Sequence, residues 1–191
     1  MQILHLDSSI QAEQSVTRKL SAAIVERLRK VSPQAVVTYR DLATNPLPEL
    51  SPEQLRSPSG AREDALDELL AADAIVIGAP MYNFTIPSQL KAWLDAVVIA
   101  GKTFRYSEAG VEGLLGDKRV IIASSRGGVY APDGAMAALD HQESYLRNIL
   151  GFIGVRDVEV IRAEGVRMGE EMAHRAITDA LASVGELRSV A

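Results

Sequence analysis

Three features of the sequence predict an α/β chain with a doubly wound, five-stranded parallel sheet and helices on both faces. The first is Ala74 to Ala79, an unbroken apolar run bounded by Asp73 and Pro80, as expected of a strand covered on both sides. The second is alternation, in which short β-branched segments take turns with longer stretches whose apolar residues recur at helical spacing. The third is the placement of polar loops directly after strands. With right-handed crossovers, a strand order of 2-1-3-4-5 brings such loops together at one carboxyl edge, where open α/β sheets bind ligands.

The elements follow in order. Gln2 to Asp7 is strand one, running into the hydroxyl-rich loop Ser8 to Thr17, which contains no glycine. From Val16, apolar residues at Leu20, Ala23, Ile24, Leu28 and Val31 mark one face of a helix ending before Ser32-Pro33. Ala35 to Tyr39 is strand two. Asp41 to Gly60, with Pro46, Pro48, Pro52 and Pro58, reads as a surface excursion with at most one helical turn at Pro52 to Leu55. Ala65, Leu66, Leu69 and Leu70 define helix two. Strand three, Ala74 to Ala79, delivers Met81-Tyr-Asn-Phe84, and Pro87 opens the first turn of a helix continuing to Ala100. Gly101 to Asp117 holds four glycines and Phe104-Arg-Tyr106, and reads as a flap or small hairpin beside the active edge. Arg119 to Ser124 is strand four, and Ser125 to Gly134 a second loop at that edge. Leu139, Leu146, Ile149, Leu150 and Ile153 line helix four, Val155 to Ile161 is strand five, and Met172 to Val184 is a terminal helix. The arrangement is flavodoxin-like.

Composition bounds the function. With 191 residues, 47% of them apolar, the chain can bury roughly 70% of its unfolded surface, enough for one domain over residues 1–191. It has no cysteine, so redox chemistry requires a cofactor, and the absence suits a reducing compartment. Met1 to Asp7 lacks a basic leader and no run approaches the ~18 apolar residues of a membrane helix, so a cytoplasmic location is expected. The net charge of −5, with both signs interspersed, demotes nucleic acid as a partner, and the lack of a long apolar run leaves no membrane partner expected.

The loop after strand one leads into a helix, where unpaired N–H groups and the helix dipole favour an anion such as a phosphate. The competing reading is that Ser15 or Thr17 only caps the helix. No G-x-G-x-x-G is present for a pyrophosphate, since no glycine precedes Gly60. Gly101-Lys-Thr103 is not a Walker A loop, because Ala96 occupies the upstream glycine position and the segment follows a helix. His5, His141 and His174 stand on three elements at no metal-ligand spacing, so no metal is expected, and no G-x-S-x-G elbow offers a nucleophile. Tyr82, Asn83 and Phe84 offer a planar wall, and Gly127-Gly128 lets main-chain N–H groups approach a flat ligand. A phosphate cradle, an aromatic wall and a donor edge suit flavin mononucleotide better than a nucleoside triphosphate.

The motifs Leu6-Asp-Ser-Ser-Ile10, Ala79-Pro-Met-Tyr-Asn-Phe84, Thr103-Phe-Arg-Tyr106, Ser125-Arg-Gly-Gly128, Gly151-Phe-Ile-Gly154 and Ala163-Glu-Gly165 complete the picture. With them, the chain strongly resembles, over essentially its whole length, the FMN-dependent NADH-azoreductases, which are also NAD(P)H:quinone oxidoreductases. The resemblance implies that Ser9, Ser15, Thr17 and the amide of Val16 hold the FMN phosphate. It implies that Met81, Tyr82, Asn83 and Phe84 line the isoalloxazine ring, and that Ser125, Arg126, Gly127 and Gly128 approach its pyrimidine edge. It further implies ping-pong hydride chemistry at flavin N5 with NADH or NADPH as donor, and quinones and aromatic azo compounds as acceptors. No side chain need act as acid or nucleophile. A homodimer with the site at its interface is implied too, with Phe104, Tyr106, Tyr130 and Phe152 near an apolar planar substrate. The sequence departs from the family pattern at Thr17, where serine is expected, and in a shorter loop before Glu63. A flavodoxin-like electron carrier and a flavin-free binding domain of the same fold are the open alternatives.

Overall fold

A computed structural model describes residues 1–56 and 59–188. Strand β1 is Gln2–Asp7, helix α1 Val16–Val31, β2 Val36–Asp41, α2 Pro52–Arg56 and α3 Ala61–Ala71. There follow β3 (Ala74–Pro80), α4 (Ser88–Val97), the short strands β4 (Phe104–Ser107) and β5 (Gly110–Gly113), and β6 (Arg119–Arg126). Helix α5 (His141–Phe152), β7 (Asp157–Glu164) and α6 (Glu170–Gly185) complete the described chain. The excursion of residues 41–60 carries the short α2 where one helical turn is expected, and its residues 57 and 58 lie outside the described residues.

Five strands pair in parallel in the order β2-β1-β3-β6-β7, which is 2-1-3-4-5 when the separate β4–β5 pair is not counted. The two-residue strand period sorts side chains between two cores. Leu4, Leu6, Ile75, Ile77 and Ile122 join Leu69 of α3, Trp93 of α4 and Leu146 of α5. The alternate residues Ile3, Val76, Ile121 and Ala123 join Leu20 and Ile24 of α1 and Val184 of α6. Every residue of the central strand β3 is buried, which accounts for its unbroken apolar run.

Several boundaries differ from the sequence expectation, each for a local reason. Pro80 belongs to β3, paired with Ser125, at a position where the ladder to β1 has already ended at Gly78, so its missing N–H forfeits no bond. Pro87 precedes α4 rather than forming its first turn, with an extended ψ of 145°. Helix α4 stops at Val97, short of Ala100, because the Thr103 hydroxyl donates to the Val97 carbonyl and accepts the Ile99 N–H. Strand β6 continues through Ser125 and Arg126, still paired with β7. Leu139 sits in a short 3-10 turn, and α5 begins at His141, capped by the Asp140 carboxylate, which accepts the Gln142 and Glu143 N–H groups at 3.1 Å each.

The β4–β5 hairpin forms as expected but not beside the active edge. It lies between a helix and a strand, so it emerges at the amino end of the sheet, whereas the strand-to-helix loops open at the carboxyl end. There it docks on the end of α5: the Leu115 N–H donates to the Ile153 carbonyl, and Gly113 packs directly on Gly154.

Candidate active site

Three loops converge at the carboxyl edge. In the first, Ser9, Ser15 and Thr17 are buried and largely bonded to their neighbours. Ser15 Oγ accepts the Arg18 N–H at 3.2 Å, which is the cap role, and lies 3.1 Å from Thr17 Oγ1. Ser9 Oγ accepts the Gln11 N–H and lies 3.2 Å from the Tyr82 hydroxyl, which itself accepts the Ile10 N–H. Each hydroxyl pair needs only one of its two protons for the internal bond, leaving one over. The N–H groups of Val16 and Thr17, in the first turn of α1, take no partner among the described residues. Capping therefore does not exhaust the loop. Two O–H and two N–H donors remain, a set suited to a phosphate dianion.

The second loop is a tight reversal. Tyr82 N–H donates to the Thr85 carbonyl and Thr85 N–H to the Tyr82 carbonyl, with Asn83 and Phe84 between them at φ of 47° and 71°. Left-handed backbone at two consecutive non-glycine residues is strained by about 1–3 kcal/mol each, a cost concentrated at binding sites. It leaves the N–H groups of Asn83 and Phe84 without partners among the described residues, and Asn83 itself exposed. Tyr82 turns its hydroxyl to Ser9, so it ties the second loop to the first rather than simply lining a ring.

The third loop is set by β6 and β7. The Arg126, Gly127 and Gly128 carbonyls accept N–H groups of Val166, Arg167 and Gly165, while the Gly127 and Gly128 N–H groups stay free among the described residues. A Cβ on Gly127 would meet the Arg167 side chain at 3.2 Å. Met81 N–H donates to the Ser125 carbonyl, locking the second and third loops together. Gln142, which no sequence pattern marks, joins the same strand ends: it accepts from Ser124 and donates to the Ala79 carbonyl.

A family model described by its flavodoxin-like fold matches residues 1–187. The FMN-dependent NADH:quinone oxidoreductase of Methylocella silvestris is 55% identical over 194 aligned residues, covering 94% of this chain and 95% of that one. The chain belongs to the FMN-dependent NADH:quinone oxidoreductase family. A second relative of that name, from Sinorhizobium medicae, is 50% identical over 97% of this chain and 96% of its own. Among solved structures, an azoreductase from Bacillus anthracis superposes with a TM-score of 0.88 at 28% identity, covering 97% of each chain. Among the described residues, no helix is long and apolar enough to cross a membrane.

Against this quinone oxidoreductase frame, the aromatic residues divide. Tyr130 packs edge-on to Phe84, with ring centroids 6.4 Å apart, at the carboxyl edge. Phe104, Tyr106 and Phe152 form a separate cluster, Phe104 lying 5.5 Å from Tyr106 and 4.7 Å from Phe152. The His141 N–H donates to the Phe84 carbonyl, so α5 starts at the site and ends at Phe152, about 16 Å away at 1.5 Å per residue. The chain therefore holds that cluster apart from its three carboxyl-edge loops.

Arg126 also differs from expectation. Its guanidinium, 2% exposed, contacts Asp140 at 2.9 Å and Glu143 and Glu164 at 3.1 Å each, and stacks 5.9 Å from the Tyr130 ring centroid. The side chain is thus committed to carboxylates rather than turned to a ligand. Arg105 of β4 is likewise committed, paired with Glu112 of β5 at 2.8 Å. Burial would raise the Glu143 carboxyl, but hydrogen bonds from Arg162 and Arg147 outweigh it and hold the group at about 2, below its ordinary 4.5. Between those values the unfolded chain binds the extra proton, so this group stabilises the fold above about pH 4.5 and loses its contribution as pH falls towards 2. With allowance for solvent screening the contribution is about 2 kcal/mol. Urea titrations across that range should show Glu143→Gln flattening the acid limb; superimposable limbs would refute the assignment.

Proposed function

We infer that this protein is an FMN-dependent NAD(P)H oxidoreductase that reduces quinones by two electrons and reductively cleaves aromatic azo compounds. The observation that carries the reading is the donor set left over at the carboxyl edge. Two hydroxyl protons and the Val16 and Thr17 N–H groups suit a phosphate, while the Asn83, Phe84, Gly127 and Gly128 N–H groups suit the acceptor atoms of a flat ring. When bound, FMN supplies the two-electron chemistry, taking hydride from NAD(P)H and returning reducing equivalents to the acceptor.

The chain's own residues bind and orient. Ser9, Ser15 and Thr17 anchor the phosphate end, and Met81 to Phe84 with Ser125 to Gly128 hold the ring end, so that free main-chain dipoles face the charge that develops on reduction. Donor and acceptor would occupy the site in turn, a ping-pong order. The two-round chemistry of azo cleavage follows from the same exchange.

The distance from Phe152 to the flavin loops favours a homodimer in which the Phe104, Tyr106 and Phe152 cluster serves the other subunit's site, leaving Tyr130 to serve its own. Lack of cysteine and use of a nicotinamide donor fit a cytoplasmic enzyme. A simple electron carrier is the weaker reading, since relatives about 50% identical are named as NADH:quinone oxidoreductases.

Anaerobic addition of NADH to the FMN-loaded protein should bleach the flavin, and a quinone should restore its colour; an unbleached flavin would return the carrier to first place. Asn83→Ala should slow bleaching with little change in FMN affinity, because its amide lies at the ring end. Ser9→Ala and Ser15→Ala should instead loosen FMN by about 1 kcal/mol each. Unchanged affinity in both serine variants would leave these residues as loop and cap supports only.

A further inference from the structure

The hydroxyl loop is held from behind by a side chain that the flavin reading leaves unassigned. Arg18 lies in the first turn of α1, and its main-chain N–H donates to Ser15 Oγ at one end of the loop. Its guanidinium reaches back to the other end, where Nη2 and Nε donate to the Ser9 carbonyl at 2.9 and 3.3 Å. One residue thus grips both ends of the segment that carries the phosphate donors.

The guanidinium is itself fixed on its far side. Nη2 donates to Asp41 at 2.7 Å and Nη1 to the Tyr39 hydroxyl at 3.0 Å. The Tyr39 hydroxyl donates in turn to Asp7, whose second oxygen accepts from Ser21 at 2.8 Å. Burial and the Asp7 and Asp41 carboxylates push the Tyr39 phenol up to about 12, so it remains a donor across the working pH range. The hydrogen bond with Asp41 raises the Arg18 guanidinium further, so the charge is permanent. His5 closes the cluster, its ring 4.9 Å from Tyr39. The strand ends Asp7 and Asp41 therefore aim the Arg18 fork at one carbonyl, an arrangement that a lysine, with a single ammonium, could not reproduce.

We propose that Arg18 is a positioning residue for the cofactor phosphate: by bridging Ser9 and Ser15 it fixes the spacing of the loop donors. This rests on the assignment of the Ser9–Thr17 loop to the FMN phosphate. With Asp41 at 2.7 Å and Asp7 at 3.8 Å the guanidinium charge is already balanced, so what Arg18 contributes is geometric, the holding of the loop donors at a fixed separation.

The test compares FMN with riboflavin, which carries the same ring without the phosphate, by fluorescence titration of the full chain stripped of flavin. Arg18→Met should raise the FMN dissociation constant about tenfold, the scale expected for loss of charge-assisted hydrogen bonds, and leave that of riboflavin within about twofold. Arg18→Lys, which keeps the charge and is the gentler change for folding, should still bind FMN about threefold more weakly than the unmodified chain. Wild-type FMN affinity in either variant overturns the positioning role. So does an equal loss for FMN and riboflavin, which is what general loosening of the fold would give. If the unmodified chain binds riboflavin as tightly as FMN, the phosphate assignment itself fails, a result distinct from failure of Arg18 alone.

Discussion

Arg126→Met is expected to lower the unfolding free energy at neutral pH by about 3–5 kcal/mol, the range for removing one partner of a buried ion pair. Three carboxylates, Asp140, Glu143 and Glu164, meet at this guanidinium. Glu143 keeps Arg147 and Arg162 as partners, whereas Asp140 and Glu164 make no direct ion pair but the one with Arg126 among the described residues, Arg162 acting on them only at longer range. Methionine fills much of the volume, so the loss is electrostatic more than steric. Two consequences separate this from an ordinary core defect. The deficit should be recovered in part by Arg126→Lys, which returns a cation to the three carboxylates without the full guanidinium fork. The third loop should also loosen, because the Tyr130 N–H donates to Glu164 and the Arg126 side chain bonds Gln142, the residue that joins the ends of β3 and β6. Urea unfolding of both variants at neutral pH reads the first; a lysine variant no more stable than the methionine one would show that the lost charge is not what destabilises the fold.

That cluster marks where the sequence stops being legible. Periodicity fixes elements in which one face is buried. The Leu20, Ile24 and Leu28 stripe gives α1 its bounds, and the apolar run of β3 by itself identifies the central strand. The hydroxyl and aromatic loops are legible too, because they stand between strand and helix patterns. Arg126 is different. Within Ser125-Arg-Gly-Gly128 it reads as part of a ligand loop, and only pairing through β7 reveals that its side chain faces Glu164. Arg18 and Gln142 depend on partners distant in sequence, Asp41 and Ser9 for one and Ala79 and Ser124 for the other, and no local pattern announces them. The hairpin carried a signal that spacing alone obscures. Its aromatic residues suggest a ligand edge, but a segment entered from a helix and left by a strand belongs at the amino end of a parallel sheet.

Gly113→Ala should be severely damaging for a single added methyl, costing about 3 kcal/mol, the upper part of the range for overpacking. A Cβ at this position would lie 2.0 Å from the Gly154 nitrogen and 2.3 Å from the Ile153 carbonyl carbon. Both are backbone atoms, so no side-chain rotation relieves the clash. Gly154 cannot yield easily either, since its φ of +99° requires glycine and its own Cβ position meets Gly113 backbone within 2.9 Å. The strain is released only by lifting the hairpin from α5, which breaks the Leu115 N–H bond to Ile153 and parts Phe104 from Phe152. Because that cluster is remote from the carboxyl-edge loops of the same chain, the change should leave FMN affinity near wild type while lowering thermal stability and quinone turnover together. Were the hairpin only a surface ornament, Gly113→Ala would destabilise the chain without affecting turnover at a temperature where it remains folded. A parallel measurement of Tm, FMN titration and quinone reduction distinguishes the two, and a loss of turnover at intact FMN affinity places the hairpin's aromatic residues in the working site of the assembled enzyme.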